Sequence, residues 1–289
     1  MSLSVRGHCA TIVLVAIVAG TLTGFLAREP LRQLVVRLFG PPRVQMTESF
    51  AERGDGPTLD HTIWDGLLRQ HVTEHGGVDY RSWSDDPTAL DRYLASLAEV
   101  DLAALGRSER LALLINAYNA FTIRLILDHD GDGGLKSIRD IPDAERWDAV
   151  RWELGGQTWS LNQIEHEQIR PRFAEPRIHF ALVCAAYSCP PLRTEAYVGV
   201  RLEEQLEDQT RRVHGDERWF HFDAETGVVR FTELYDWYLS DFEQVAESAI
   251  AYMAGYSSPL NEALEAGRSI DLRRIPYEWD LNRKPATAP

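Results

Sequence analysis

The chain predicts a mixed helical and β (α+β) body, helix-rich in its N-terminal half and carrying β-hairpins in its C-terminal half, behind an N-terminal transmembrane helix. Three observations lead there. Cys9 to Ala27 is an uncharged run of about 19 residues, close to the thickness of a bilayer core. Ser108 to Leu127 is apolar around nearly its whole circumference, the mark of a buried helix. Two pairs of short extended runs meet at turns containing Gly155-Gly156 and Glu225-Thr226-Gly227, as hairpins do.

Charge divides the chain. Its 289 residues carry a formal charge of −14, yet residues 1–45 hold five arginines against Glu29, a balance of +4 that leaves the remainder at −18. A body this acidic repels phosphate backbones and carries no basic stripe, which argues against a nucleic-acid partner. Val18-Ala19-Gly20 is a poor cleavage site, so the apolar span reads as a retained anchor, with the membrane as its partner. Leu31 to Phe39 follows as a short interfacial helix. Residues 1–45 thus form the anchor and juxtamembrane helix, and 46–58 a polar linker. The body spans 59–282, and 283–289 form a disordered tail. One arginine precedes the span and four follow it, a weak vote for a cytoplasmic body.

Asp60 is placed to cap a helix through Trp64, Leu67, Leu68 and Val72. A second helix covers Pro87 to Leu97. In the helix begun by Ser108, Asn116 and Asn119 share a side. Buried amides need partners, so they either bond the backbone of a neighbouring loop or line a site. Asp128 to Gly133 imitates the first half of a calcium loop, but Arg139 stands where the closing glutamate belongs; a solvated acidic turn is expected. Ser160 and Gln163 form a capping box that starts a helix through Arg170. On it Glu165 lies on the apolar stripe, with His166 and Arg170 four apart on the flank. Leu202 to Val213 reads as a charged helix, Trp219 to Phe222 and Val228 to Phe231 as a hairpin, and Leu234 to Phe242 as aromatic packing. Ala246 to Tyr256 and Leu260 to Ala266 read as helices, and Ile275 to Asn282 as a final edge strand.

The chemistry gathers on Pro176 to Leu192. Ile178 to Cys184 is a short apolar run bounded by breakers, which reads as a buried strand. Alternation then puts Cys184 with Phe180 and Leu182 on one face, as a structural thiol. Cys189 lies in a turn where amides can activate it as a nucleophile. His179 or His166 is the candidate base, oriented by Glu165. Asn116, Asn119, Arg170 and Tyr187 are the candidate substrate-binding residues, for a small molecule or peptide. His221 is a lower-ranked base. Two alternatives stand beside this thiol hydrolase or transferase. In one, a Cys184–Cys189 pair is purely structural in a domain that binds without turnover. In the other, His166, His179, Cys184 and Cys189 hold zinc, although no Cys-x-x-Cys spacing supports it. No cofactor is implied.

Three stretches together, LLINAYNAFTI at 113–123, SLNQIEH through RIHFALVCAAYSCPPL at 160–192, and YEWDLN at 277–282, resemble the family catalogued as domain of unknown function 547. The resemblance implies a single α+β domain over roughly 60–282, often exported or membrane-tethered in bacteria. It therefore favours a single-pass inner-membrane protein with a periplasmic body, against the arginine count. The family confers no activity.

Overall fold

The computed structural model describes residues 41–285 apart from 55 and 132. The expected anchor and juxtamembrane helix fall outside the described residues. From Arg43 onward the chain is one compact unit, an α+β body of eleven helices and two small sheets among the described residues.

Thr62–His71 (α1), Tyr80–Asp85 (α2) and Thr88–Ala98 (α3) build one wall. Trp64 stacks on Tyr93 there, 5.7 Å away with ring planes 9° apart, and meets Trp83 at a tilt of 34°. Asp60 sits one residue ahead of the cap, accepting the Thr62 N–H at 2.8 Å. Against this wall runs Arg107–His129 (α4), with every residue from Leu111 to Ile123 buried. Long and apolar enough to cross a membrane, α4 is covered by the rest of the body. Its cap is Gly106 rather than Ser108, whose hydroxyl bonds Glu52 instead.

The short helix Asp143–Arg146 (α5) leads to the expected hairpin, Trp152–Leu154 (β1) paired antiparallel with Gln157–Trp159 (β2). The capping box is present with both bonds: the Ser160 hydroxyl accepts the Gln163 N–H and the Gln163 side chain accepts the Ser160 N–H. It opens Leu161–Gln163 (α6), which passes into a π-helical turn over Ile164–Ile169. That turn inserts one extra residue, closed by the Arg170 N–H on the Glu165 carbonyl at 2.9 Å; such turns concentrate at functional sites. Residues five apart come nearer to one face in a π turn than in an α-helix. Glu165 and Arg170 are accordingly both buried.

The expected strand at 178–184 is absent. Pro176–Phe180 winds into a 3₁₀ helix with Pro176 in its first turn and the Glu175 carboxylate accepting the Arg177 N–H. A run of buried apolar residues needs neighbours, not specifically a sheet. Here the neighbours are two separate cores: Ile178 and Ala181 to Ala186 pack with α4, whereas Phe180 packs with the C-terminal aromatic cluster. The segment threads the seam between them.

Leu202–His214 (α7) follows as expected. Phe220–Asp223 (β3) pairs antiparallel with Val228–Thr232 (β4). The final strand is Asp271–Ile275 (β5), parallel to β4, and not Ile275 to Asn282. Beyond it the described chain makes isolated bridges, Asp280 to Ser137, Leu281 to Ala186 and Arg283 to Val78. Leu234–Trp237 (α8), Leu239–Phe242 (α9), Ala249–Ala254 (α10) and Ser258–Glu265 (α11) close the second core.

Described parts of the expected linker and tail are laid on the body. In the 46–58 stretch Met46 is buried, Thr47 and Ser49 donate to the carbonyls of Pro171 and Arg172, and Phe50 packs on Phe173. At the tail, Arg283 pairs with Asp130 at 2.6 Å and the Lys284 N–H meets the Val78 carbonyl.

Candidate functional site

Both sulfurs lie at the seam, beneath Tyr277. The tyrosine hydroxyl is 3.4 Å from Cys184 Sγ and 3.1 Å from Cys189 Sγ. The Cys184 N–H donates to Cys189 Sγ at 3.0 Å, and the two cysteines are unbridged. Their exposure reverses the sequence expectation: Cys189 is the buried thiol, at 5% exposure, and Cys184 the half-buried one. Without a strand, the alternation argument that made Cys184 inert has no basis.

The backbone at this bend is strained. Ala185 has φ 65°, the only positive value at a non-glycine residue among the described residues; such a conformation costs roughly 1 kcal/mol or more for an L-residue. It turns the Ala186 amide toward Cys184. The hydrogen bond from Cys189 draws the Cys184 thiol below its ordinary range against the cost of burial, with Tyr277 and the Ala186 amide adding to it. Burial pushes the Cys189 thiol well up, and the neighbouring Cys184 pushes further. Of the two, Cys184 is the sulfur whose surroundings favour ionisation and Cys189 the one whose surroundings oppose it.

A buried charge network flanks the sulfurs. Arg170 grips Asp241 with two bonds, Nε to Oδ2 at 2.7 Å and Nη2 to Oδ1 at 2.9 Å. His179 Nε2 meets the same Oδ2 at 2.9 Å, and the His179 ring stacks on Tyr238 at 3.7 Å. Tyr238 donates its hydroxyl to Glu165 Oε1 at 2.6 Å. His166 Nδ1 stands 3.7 Å from that oxygen and 3.2 Å from Arg170 Nη1. Burial alone would raise the Asp241 carboxyl, yet His179 and Arg170 hold it well below the carboxylate range. Burial would likewise raise Glu165, but the His166 charge and the Tyr238 hydrogen bond outweigh it and lower its pKa. Burial lowers the pKa of His179, with Asp241 opposing. Glu165 is close enough to Cys184 to work against its ionisation, so network and thiols share one neighbourhood.

Several expected roles change. Glu165 orients Tyr238 by its short bond, and the carboxylate on His179 is Asp241. The asparagines are consumed by loop backbone. Asn116 bonds the Tyr197 carbonyl and N–H, at 2.7 and 3.0 Å. Asn119 bonds the Ala181 carbonyl and the Val183 N–H, both at 2.9 Å. They clamp the loops, the oxygen and the nitrogen of each amide both engaged on backbone, with Asn119 holding the residues just before Cys184. Tyr187 stands outside this neighbourhood, 44% exposed beneath Arg218. His221 pairs with Glu217 on β3. Among the described residues no three metal-ligating side chains converge, so the four residues offered for zinc do not make a site. The acidic turn is tied up by neighbours: Asp130 takes Arg283 and the Leu135 N–H, and Asp128 pairs with Arg124 and Arg151.

Sequence reasoning missed Tyr277, Tyr238 and Asp241. A signal existed for Asp241: a buried Arg170 demands a counter-charge, and Asp241 is one of the two acids of the aromatic stretch read only as packing.

Fold and site together define an α+β domain with a paired-thiol centre braced by a buried charge network. Residues 102–212 match the family described as "Protein of unknown function, DUF547", the resemblance read from the sequence over a narrower span. That span contains α4, the π turn and both cysteines; Tyr238, Asp241 and Tyr277 lie beyond it. No curated protein and no solved structure matches the chain.

Proposed function

We propose that the domain is a thiol enzyme whose centre is the Cys184–Cys189 pair, with Cys184 attacking and Cys189 resolving. One observation carries this reading: two unbridged sulfurs share the Tyr277 hydroxyl, at 3.4 and 3.1 Å, the leading one half-buried and the following one buried. A half-buried thiol with lowered pKa followed by a buried one suits thiol–disulfide exchange. The Cys184 thiolate bonds one sulfur of a substrate disulfide, whose S–S bond breaks and whose other sulfur leaves and takes a proton. Cys189 then gives up its proton and bonds Cys184, releasing the second substrate thiol. The substrate gains two electrons, the pair becomes a disulfide, and a second dithiol partner reduces it again.

A second reading, acyl transfer through a Cys184 thioester, is favoured by the Glu165–His166 pair and Tyr238, acid–base groups that exchange alone does not need. Replacing the buried sulfur separates the two. With an aromatic model disulfide and Cys9 replaced by Ser, the pair is expected to release two thiolates per chain, whereas adding Cys189→Ser releases one and keeps the other half on Cys184, visible by mass. If Cys189→Ser still turns over an activated aryl ester and the intact pair releases no second thiolate, the acyl reading replaces exchange. Unchanged reactivity of Cys184→Ser toward both probes removes Cys184 as the attacking sulfur.

The tether at Cys9 to Ala27 and a periplasmic body accompany this proposal. They are supported by the apolar span and the family resemblance.

A further inference from the structure

Away from the thiols, a cleft of about 410 Å³ opens between the turn after α3, the β1–β2 turn and the exit of the π turn, where Asp101, Arg110, Gln157, Trp159, Gln168 and Arg172 line it. Its charge is unusual for this body. Most arginines here are paired with carboxylates. Arg110 and Arg172, and Arg53 behind them, have no carboxylate within 4.0 Å among the described residues. Their hydrogen-bond partners are backbone carbonyls: Arg53 on Ala104 at 3.5 Å, Arg110 Nη2 on Leu102, and Arg172 Nε on Glu167 at 3.1 Å, while the Arg110 guanidinium also lies over the Phe50 ring at 4.0 Å. Arg110 Nε is buried without a hydrogen-bond partner. Burial lowers the Arg110 pKa, and repulsion from Arg172 and Arg53 lowers it further; Asp101 opposes only weakly. The Asp101 carboxylate is already engaged by the Ala103 N–H at 2.9 Å.

Like charges held together around a cavity are stabilised when an anion enters. Two guanidiniums bring fixed forks suited to oxyanions, and the Gln157 and Gln168 carboxamides bring neutral donors. This donor set exceeds what a single carboxylate uses. The volume falls in the range of small-molecule sites, roughly 300–1,000 Å³. We propose that this cleft binds a phosphate-class dianion, alone or as the phosphate of a small metabolite, with Arg110 and Arg172 as its charge partners. The site is independent of the thiol chemistry. It adjoins that centre through the π turn, whose first half holds Glu165 and His166 and whose end holds Gln168.

The test titrates inorganic phosphate into the full-length protein at constant ionic strength, following calorimetric heat and the fluorescence component lost in Trp159→Phe. Saturable binding is expected, weakened at least tenfold by Arg110→Gln and by Arg172→Gln. Arg81→Gln, at an exposed arginine elsewhere, should leave it unchanged. Arg172 is exposed, so its variant keeps the test sound if Arg110→Gln fails to fold. The proposal is overturned if phosphate gives no saturable signal, if chloride at equal ionic strength reproduces it, or if a folded Arg172→Gln binds as tightly as the wild type.

Discussion

At the scale of single residues, the thiol centre depends on who donates to which sulfur. The Tyr277 hydroxyl can serve only one thiolate at a time, and each sulfur has an amide beside it, Ala186 for Cys184 and Cys184 for Cys189; the half-buried Cys184 is set apart by the hydrogen bond it draws from Cys189. A hydrogen bond to a charged group contributes about 1.5–3 kcal/mol, and 1.4 kcal/mol is a factor of ten in ionisation. Tyr277→Phe is therefore expected to lower the alkylation rate of Cys184 at neutral pH by about ten-fold or more. The rate should recover as the pH rises. An unchanged pH profile would mean that the hydroxyl does not support the thiolate. Ala185 shows the same logic in the backbone: its φ of 65° is a strain that surrounding contacts must hold, and it turns the next amide toward the sulfur.

Elements hold these residues in place, and the clamp from α4 is the clearest case. Asn119 satisfies one carbonyl and one N–H of the segment that leads into Cys184. Asn119→Ala leaves both buried groups unpaired, which costs about 2–4 kcal/mol. Chemical denaturation should show that loss, and the Cys184 alkylation profile should drift toward that of an ordinary thiol. A stability loss with the profile intact would confine Asn119 to a scaffolding role. The clamp also shows what the sequence could and could not reveal. Helix α4 was legible because its apolar residues cover every face, and its two amides stood out against them. The capping box before Glu165 was legible because Ser160 and Gln163 act across three residues. The 178–184 run was misread because an apolar stretch records burial and not the partner that buries it; two cores did so in place of a sheet. The π turn was invisible, since one inserted residue leaves no mark on the apolar pattern. Tyr238, Asp241 and Tyr277 were hidden by distance along the chain: the Arg170–Asp241 bond joins residues 71 apart and the Cys189–Tyr277 contact residues 88 apart.

Across the whole molecule, stability rests on two cores and on polar groups buried in a fixed protonation state. His214 donates from Nδ1 to the Thr210 carbonyl at 2.7 Å and accepts the Tyr235 hydroxyl at Nε2, at 2.5 Å, which fixes it as neutral. His61 bonds Tyr93 at 2.8 Å, and its other nitrogen has no partner. Burial lowers both to about 4. The unfolded chain, with histidines near 6.5, binds more protons between these values, so stability is full above pH 6.5 and falls as the pH drops toward 4. From pH 7 to pH 5 each histidine is expected to contribute about 2 kcal/mol of that loss. Urea midpoints across that range check it, with His214→Gln losing its part of the slope. A slope identical to the wild type would show that His214 is not held neutral. The Arg170–Asp241–His179 network joins the two cores at the seam, so the thiol centre is only as rigid as their contact.

The account stands most directly on which sulfur reacts. The full-length protein, reduced and then pulsed with iodoacetamide from pH 5 to pH 10, would be digested and mapped by mass at Cys184 and Cys189. Cys184 is expected to be modified first, reaching half its limiting rate below the pH typical of a free thiol, while Cys189 stays protected until the fold opens. Modification of Cys189 first, or of both together only at alkaline pH, would contradict it.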